Sequence, residues 1–416
     1  MHSPFSAMRG LSGFANAARS IPYRYWIGGK APAVIADPVA GVYGLGGRAV
    51  GFEGLFSFSR LSAAWKLNAL GHWVKVLAGE PRMGHHVWKD GQLVPAGIAV
   101  CSEVRTNHVT LSTRFETGWS GTDVTVTANT HISPDGTINA DTLTRSGEQG
   151  YLIKSAAGVT GQTKSIYART VTGTGTVGLL SHNSVPASEV ALTEEWQRFD
   201  LPVDTAETGG SNFYAVDFRV GDLSEVVVWG AQLEDGPYVT DHIPTDGSAA
   251  SVASESLQID AADLSAALDG VMPEALTLVM KGTMRYADEG LNPQVRMMLW
   301  QADSSNRIRL QLNTVDARTG QFIAFTQKDG VANSALFASD AYSPGVDVPF
   351  SVAAVLTATE IEGFYNGVST GKVTHSGLPN LLAAPMELFT TGIGTIEYFA
   401  AYVGNPGAAA LQEILT

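Results

Sequence analysis

The sequence predicts a mainly β protein: two antiparallel β-sandwich domains of jelly-roll type, preceded by an irregular N-terminal attachment region. Three observations predict it. The 416 residues are 44% hydrophobic but only 16% charged, a balance suited to large buried sheets and unlike a disordered chain. Short stretches such as Thr122–Thr127 and Arg307–Leu312 alternate polar and apolar side chains, the pattern of strands with one wet face. Turn formers punctuate these stretches, with 45 glycines and clusters such as Pro134-Asp135-Gly136 and Gly209-Gly210. At roughly 100–200 residues per domain the length suggests two to four domains, and the expected divisions are 1–110, 111–247 and 248–416.

Residues 1–110 are the least regular part. They hold Trp26, Trp65, Trp73 and Trp88, half of the eight tryptophans. Pro22, Gly28-Gly29, Pro32, Pro38, Gly44 and Gly46-Gly47 interrupt any long element. A small helix is expected over Arg9–Ala18, and short strands and loops elsewhere that gain order by packing on something else. In 111–247, strands are expected at Thr122–Thr127, Ser165–Val171, Gly175–Leu180, Trp196–Leu201, Asn212–Val220 and Glu225–Trp229. The last of these is expected to end at the Gly230-Ala231 step. Residues 246–256 read as a small-residue linker. The second sandwich is expected to use Ala275–Tyr286, Arg307–Leu312, Phe350–Thr357, Ile361–Asn366 and Thr395–Val403. Asn366-Gly367 marks a tight hairpin, because both residues tolerate positive φ. Ala408–Leu415 suits one or two helical turns.

Composition also excludes classes of function. The single cysteine, Cys101, rules out an intrachain disulfide and a cysteine zinc site, and reads as a small buried apolar residue. Residues 1–20 carry Arg9 and Arg19 without a continuous apolar core, so no secretory signal is expected. No apolar run of about 18 residues suggests a membrane helix. The net charge is −14, unevenly spread: residues 1–100 hold ten Lys or Arg and four Asp or Glu, so the remainder is strongly acidic. A basic head on an acidic body suggests different partners for the two ends, and makes nucleic acid a poor partner.

Several short strings occur in an order that resembles structural proteins of tailed phages and gene transfer agents, of the head-spike-fibre type. Phe58-Ser59-Arg60-Leu61-Ser62-Ala63-Ala64 is similar to a Phe-x-Arg-x-Ser-x-Ala element, followed by Pro81-Arg82. Gly97-Ile98 with Glu103-Val104-Arg105-Thr106-Asn107 resembles a Gly-Leu…Glu-x-Arg-Thr-Asn element. Trp119, Ser133–Thr137 and Ala140–Thr144 resemble the opening of a carbohydrate-binding-module-like jelly roll. Trp196-Gln197-Arg198 and Gly230-Ala231-Gln232-Leu233-Glu234 resemble its later strands. His242-Ile243-Pro244-Thr245 departs by one residue, the family usually having Tyr before Ile-Pro-Thr. The part from 248 to 416 resembles a concanavalin A/laminin-G-type sandwich, on the Tyr365–Val368 hairpin and the terminal Ala408–Thr416 segment. The resemblance implies a virion spike, head fibre or tail fibre, with a basal part held by the particle and sandwiches facing the host.

No catalytic motif stands out. His72, His85 and His86 lack an acidic cluster nearby, and adjacent strand residues point to opposite faces, so a metal site is not expected. A glycosidase needs two carboxylates facing one cleft. Glu194, Glu195, Glu225, Glu234, Glu360 and Glu362 are available, but no Glu-x-Asp-x-x-Glu strand occurs. Sugar binding needs only an aromatic platform and a few polar groups. Tyr151, Tyr167, Trp196 and Tyr214 are the carbohydrate-binding candidates, although Trp119, Trp196 and Trp229 fall where the family places core or strand-edge aromatics. Trp26, Arg60, Trp65, Trp73 and Trp88 are candidates for an attachment or oligomer interface. No cofactor is indicated; modules of this type often hold one structural calcium, for which the sequence offers no identifiable ligands.

The expected function is a virion spike or fibre subunit, head spike favoured over tail fibre, that binds host cell-surface polysaccharide without catalysis. Its expected partners are other virion proteins, through residues 1–110, and a host glycan, with no nucleic acid and no membrane insertion. A homo-oligomer is expected, trimer first and pentamer second, assembled in the host cytoplasm and resident in the virion. Two alternatives stay open: a polysaccharide depolymerase tail spike, and a capsid decoration protein without glycan contact. Removal of residues 1–110 is expected to leave soluble sandwiches.

Overall fold

The computed structural model describes residues 20–416 except 90, 159–160, 181–187, 203–210, 237, 287–293, 314–320 and 337–345. The helix expected over Arg9–Ala18 lies outside these. The chain is mainly β and its strand pairs are antiparallel, in two sandwiches.

The first sandwich is the predicted jelly roll. One five-stranded sheet runs in the order Ser120–Thr122, Tyr151–Gly158, Ser211–Gly221, Gly175–Leu179, Ser188–Leu192. The other runs Val124–Ile132, Ile138–Arg145, Glu225–Asp235, Gln162–Arg169, Gln197–Pro202. Alternate side chains of both sheets, among them Leu143, Leu152, Ile166, Phe213, Phe218, Val226 and Val228, fill the space between. The stretch Thr122–Thr127 was expected to be one strand. It is broken at Asp123, whose φ of 51° lets the chain step from one sheet to the other. The strand from Glu225 does not stop at Gly230 but continues to Asp235. Gly230 has φ +65°, and a Cβ there would lie 3.2 Å from both His242 and Tyr167, so the glycine permits an irregular register inside the strand rather than its end.

The second sandwich packs a ten-stranded sheet on a seven-stranded one. Leu276–Tyr286 and Ile393–Val403 pair at the centre of the larger sheet. The smaller sheet takes Val331–Leu336, Gln321–Lys328, Asn306–Asn313, Gln294–Asp303, Met386–Thr391, Ser256–Ile259 and Ser57–Ser59 in that order. Asn366 and Gly367 have φ of 47° and 79°, as the predicted hairpin requires. The closing helix is Ala408–Leu415.

What the irregular N-terminal segment packs on is this second sandwich. Val34–Asp37 and Gln92–Cys101 line up end to end along the same edge of Ile393–Val403. Val34–Ala36 lie opposite Phe399–Ala401, and Ile98–Cys101 opposite Ile393–Ile396. Gly97, just before that contact, has φ +76°, and a Cβ there would meet the carbonyl oxygen of Ile396 at 2.2 Å, so only glycine fits. Val34, Tyr43, Phe56, Ile98 and Val100 join the main core. Each such burial contributes about 1.5–3 kcal/mol. Ile21, Tyr25 and Ile27 cover the opposite face of the large sheet together with Leu411 and Leu415 of the closing helix. The hairpin of Ala64–Leu67 and Trp73–Val76 reaches the other way, laying Leu67 and Trp73 on Ala140, Val227 and Trp229 of the jelly roll.

The N-terminal segment and both sandwiches meet at a buried polar seam. Glu255 accepts hydrogen bonds from Arg82 Nε and Nη2 at 2.9 and 2.8 Å, from Arg60 Nη1 at 2.6 Å and from the Cys101 backbone N–H at 2.7 Å. Arg82 also pairs with Asp241. Asn107 donates from Nδ2 to the carbonyls of Ala231 and Ile243 and accepts from the N–H groups of Val109 and Leu233. Glu234 faces Arg105 and accepts from Thr240, while Gln232 accepts from the Ile243 N–H at 2.8 Å. The small-residue linker is thus pinned: Ala250–Val252 pairs with Arg105–Asn107, and Glu255 sits in the seam. Cys101 is buried beside it, its thiol pushed up to about 12 by burial, which suits the apolar reading and not a nucleophile.

Candidate functional site

The jelly roll has two outer faces with different fates. The face of the sheet holding Glu225–Asp235 is closed by the N-terminal hairpin. Trp73 Nε1 donates to Tyr167 Oη at 2.9 Å, and Trp229 is buried beneath. On the sheet holding Tyr151–Gly158 and Ser211–Gly221, the outer face carries the Arg219 side chain, which is 39% exposed.

That open face carries an organised polar-aromatic cluster. Tyr151 lies directly opposite Asp217 across the strand pair, and Arg219 shares the face of Asp217 by the two-residue strand repeat. Arg219 grips Asp217 with two prongs, Nε to Oδ1 at 2.8 Å and Nη2 to Oδ2 at 2.7 Å. This holds the guanidinium carbon 4.8 Å from the Tyr151 ring centroid and 5.7 Å from that of Tyr214. The two rings are 5.9 Å apart. The hydrogen bonds to Asp217 hold Arg219 above the ordinary guanidinium range, so the guanidinium stays charged. The Arg219 side chain is 39% exposed, Asp217 and Tyr214 are buried, and Tyr151 is half-buried. Such a surface offers a ring edge for stacking and fixed donors for hydroxyl groups, without net charge.

The four carbohydrate-binding candidates therefore separate. Tyr151 and Tyr214 come together on the open face. Tyr167 is on the closed face, its hydroxyl held by Trp73 and its ring under Arg198. Trp196 sits on that same sheet, half-buried, its Nε1 donating to the Ile132 carbonyl at 3.0 Å and its ring facing Arg169. Arg219 and Asp217 were missed, although an Asp-x-Arg pair in an alternating strand puts both on one face.

The interface candidates divide in the same way. Arg60 is an interior residue of the seam with 0% side-chain exposure, and Trp73 is buried against the jelly roll, so neither reaches an outer surface. Trp65 is half-buried in the same cluster. Trp26 and Trp88 face outward, 40% and 60% exposed, and Trp26 tilts against the exposed Tyr23 ring at 5.3 Å.

Other chemistry is quiet. Among the described residues no group of three His, Cys, Asp or Glu side chains could hold a metal ion. No helix there is long and apolar enough to cross a membrane. A cleft of about 340 Å³ opens beside the seam, lined by Ser59, Ser102, Ser254, Ser256, Glu387 and Thr390 with Glu255 behind. Of the glycosidase candidates, Glu234 is buried on Thr240, Glu360 pairs with Lys372 at 3.1 Å, Glu362 accepts from Ser369 at 2.5 Å and Glu225 from Thr144 at 3.0 Å.

No family model matches the chain, and no curated protein matches it. Solved structures do. Domain 4 of AbnA, a GH43 extracellular arabinanase from Geobacillus stearothermophilus in complex with arabinotriose, aligns with TM-score 0.31 and 9% identity over 44% of this chain and 84% of that one. The Ruminococcus gnavus IT-sialidase CBM40 bound to α2,6-sialyllactose aligns with TM-score 0.30 and 12% identity, over 38% and 92%. A structure of botulinum neurotoxin type C, whose cell entry depends on two ganglioside molecules, aligns with TM-score 0.33 and 9% identity over 39% and 40%.

Proposed function

We propose that the chain is a non-catalytic virion subunit, a spike or fibre, that binds neutral sugar of a host surface polysaccharide on the open face of its jelly roll. The observation that carries the binding reading is the Arg219–Asp217 clamp over Tyr151 and Tyr214, on the jelly-roll sheet away from the N-terminal hairpin. The closed face cannot compete, because the N-terminal hairpin occupies it.

The virion setting rests on the ordered strings, and their placement supports it. Arg60, Arg82, Arg105, Asn107, Gln232, Glu234 and Thr245 come from five separate strings, yet all lie in or beside one buried seam. Chance matches have no reason to converge on one network. A head spike is favoured over a tail fibre, as a trimer or else a pentamer. Trp26, Tyr23 and Trp88 are the outward aromatics with which the N-terminal segment would meet other virion proteins.

Lack of catalysis is supported by Glu255. It backs the cleft, but both its oxygens are taken by two guanidiniums and an N–H, leaving no lone pair positioned for a substrate. The test is incubation of the purified protein with host polysaccharide, followed on two channels. Retention without released oligosaccharide is expected; release would make the chain a depolymerase, and failure to bind would leave a decoration protein. Antibody labelling of particles, expected at the head, tests the setting.

A further inference from the structure

The outer face of the seven-stranded sheet carries a basic strip separate from everything above. In Asn306–Asn313, Ile308, Leu310 and Leu312 enter the core, so Arg307, Arg309 and Gln311 lie on the opposite face of the sheet, the two arginines half-buried and Gln311 buried beside them. Arg296 stands directly opposite Gln311 on one neighbouring strand, and Phe325 directly opposite Arg309 on the other. The guanidinium carbons of Arg309 and Arg307 lie 4.0 and 5.4 Å from the Phe325 ring centroid.

These arginines differ from the others in the fold. Arg60, Arg82, Arg219 and Arg285 each hold a carboxylate. Among the described residues, Arg296, Arg307 and Arg309 form no salt bridge. Arg307 Nε donates to Gln327 Oε1 at 2.9 Å. Arg296 Nε, Arg309 Nε and Gln311 Oε1 are buried without hydrogen-bond partners. Burial, then the neighbouring Arg307 and Arg296 charges, lowers Arg309 to about 10. Glu387 is the nearby acid, two strands away across Leu299. Three mutually repelling guanidiniums on one face, in a chain of net charge −14, are unfavourable until an anion arrives.

We propose that this face is a second, anion-selective site that binds a carboxylate-bearing polysaccharide. Stacking on Phe325 fixes the guanidinium planes of Arg309 and Arg307, which leaves their Nη1 and Nη2 edges for two-pronged contact with carboxylates. Arg307 and Arg309 stand two residues apart on one strand and Arg296 on its neighbour, roughly 4.8 Å away, which presents them as a strip to an extended chain. Gln301 lies in the row of Arg307 and can serve sugar hydroxyls. A single-stranded nucleic acid is disfavoured because its bases need exposed rings to stack on, and Phe325, the ring of this strip, is buried under Arg309 and Arg307. The site does not depend on the Tyr151 face.

The experiment measures binding of the full chain to alginate, dextran and single-stranded DNA by affinity electrophoresis. Alginate should bind, dextran should not compete for this strip, and raising salt should weaken alginate binding. Arg296→Gln/Arg309→Gln should bind alginate at least roughly tenfold more weakly, the equivalent of one charge-assisted hydrogen bond, while Tyr151→Ala should bind it as the parent does. Arg309→Lys keeps the charge and loses the planar fork, and should weaken binding several-fold even if the double variant does not fold. No alginate binding by the parent, equal binding by parent and Arg309→Lys, or tighter binding of DNA than of alginate would each overturn the proposal.

Discussion

Arg82 and Glu255 form a two-pronged ion pair inside the protein, at 2.9 and 2.8 Å, between the N-terminal segment and the linker that joins the two sandwiches. Both side chains are almost fully buried, 3% and 0% exposed. A buried carboxylate with several guanidinium and amide donors adds little net stability over an apolar substitute, but loss of one partner is costly. Glu255→Gln should therefore lower the unfolding free energy by about 3–5 kcal/mol, measured by denaturant titration. A change under about 1 kcal/mol would mean that the seam does not hold the three parts together.

His242 gives a pH prediction. Its ring packs 4.1 Å from that of Trp229, and neither ring nitrogen has a hydrogen-bond partner. Burial lowers His242 to about 3 and His85 to about 4, against an ordinary value near 6.5. Between about pH 4 and 6 the unfolded chain binds protons at these histidines that the folded chain does not, so their contribution is complete above about pH 6.5 and falls as the pH falls. Asp141 opposes this: burial raises it to about 6, so in the same window the folded state holds the extra proton and stability falls as pH rises. Two histidines against one carboxyl leave a slope of about 1.4 kcal/mol per pH unit from these three groups, with acid destabilising; His131, lowered by burial, adds to it, and Glu397, raised by burial, subtracts.

His242→Phe keeps the ring and removes both unsatisfied nitrogens. The variant should be more stable at pH 7 by about 1–3 kcal/mol, and its stability should fall less steeply than the parent's as the pH drops from 6 to 5, by about 1.4 kcal/mol per pH unit. Denaturant titrations at pH 7, 6 and 5 check both.

Removal of residues 1–110 now has a different expected outcome from the soluble sandwiches that the sequence suggested. The cut would strip Val34–Asp37 and Gln92–Cys101 from the edge of Ile393–Val403 and open the core at Ile98 and Val100. An edge so exposed pairs with other chains, and the truncated protein should be insoluble. Soluble, monomeric truncated protein with parental thermal stability would contradict the architecture.

Much of the fold was legible because period-two alternation reports burial directly. Arg307–Leu312, Asn366-Gly367 and Ala408–Leu415 all lie where their local chemistry put them. The role of residues 20–107 was not legible, because their partners lie far along the chain, from Tyr167 for Trp73 and Glu255 for Arg82 to Ala401 for Val34, and strands of three or four residues carry little pattern. Which aromatics share a face was equally hidden: Tyr151 and Tyr167 both sit in strands, but on different sheets of one sandwich. Arg219 could have been found from its two-residue spacing to Asp217. The closing of the other face by Trp73 could not, since it depends on where a distant hairpin lands.

The central claim is that Tyr151 and Arg219 form a working sugar site. Its most direct test compares adsorption of the parent, Tyr151→Ala and Arg219→Ala to host cells and to isolated neutral host polysaccharide. A loss of roughly tenfold or more for each variant, with thermal stability near that of the parent, is the predicted result. Adsorption unchanged in both variants would contradict it.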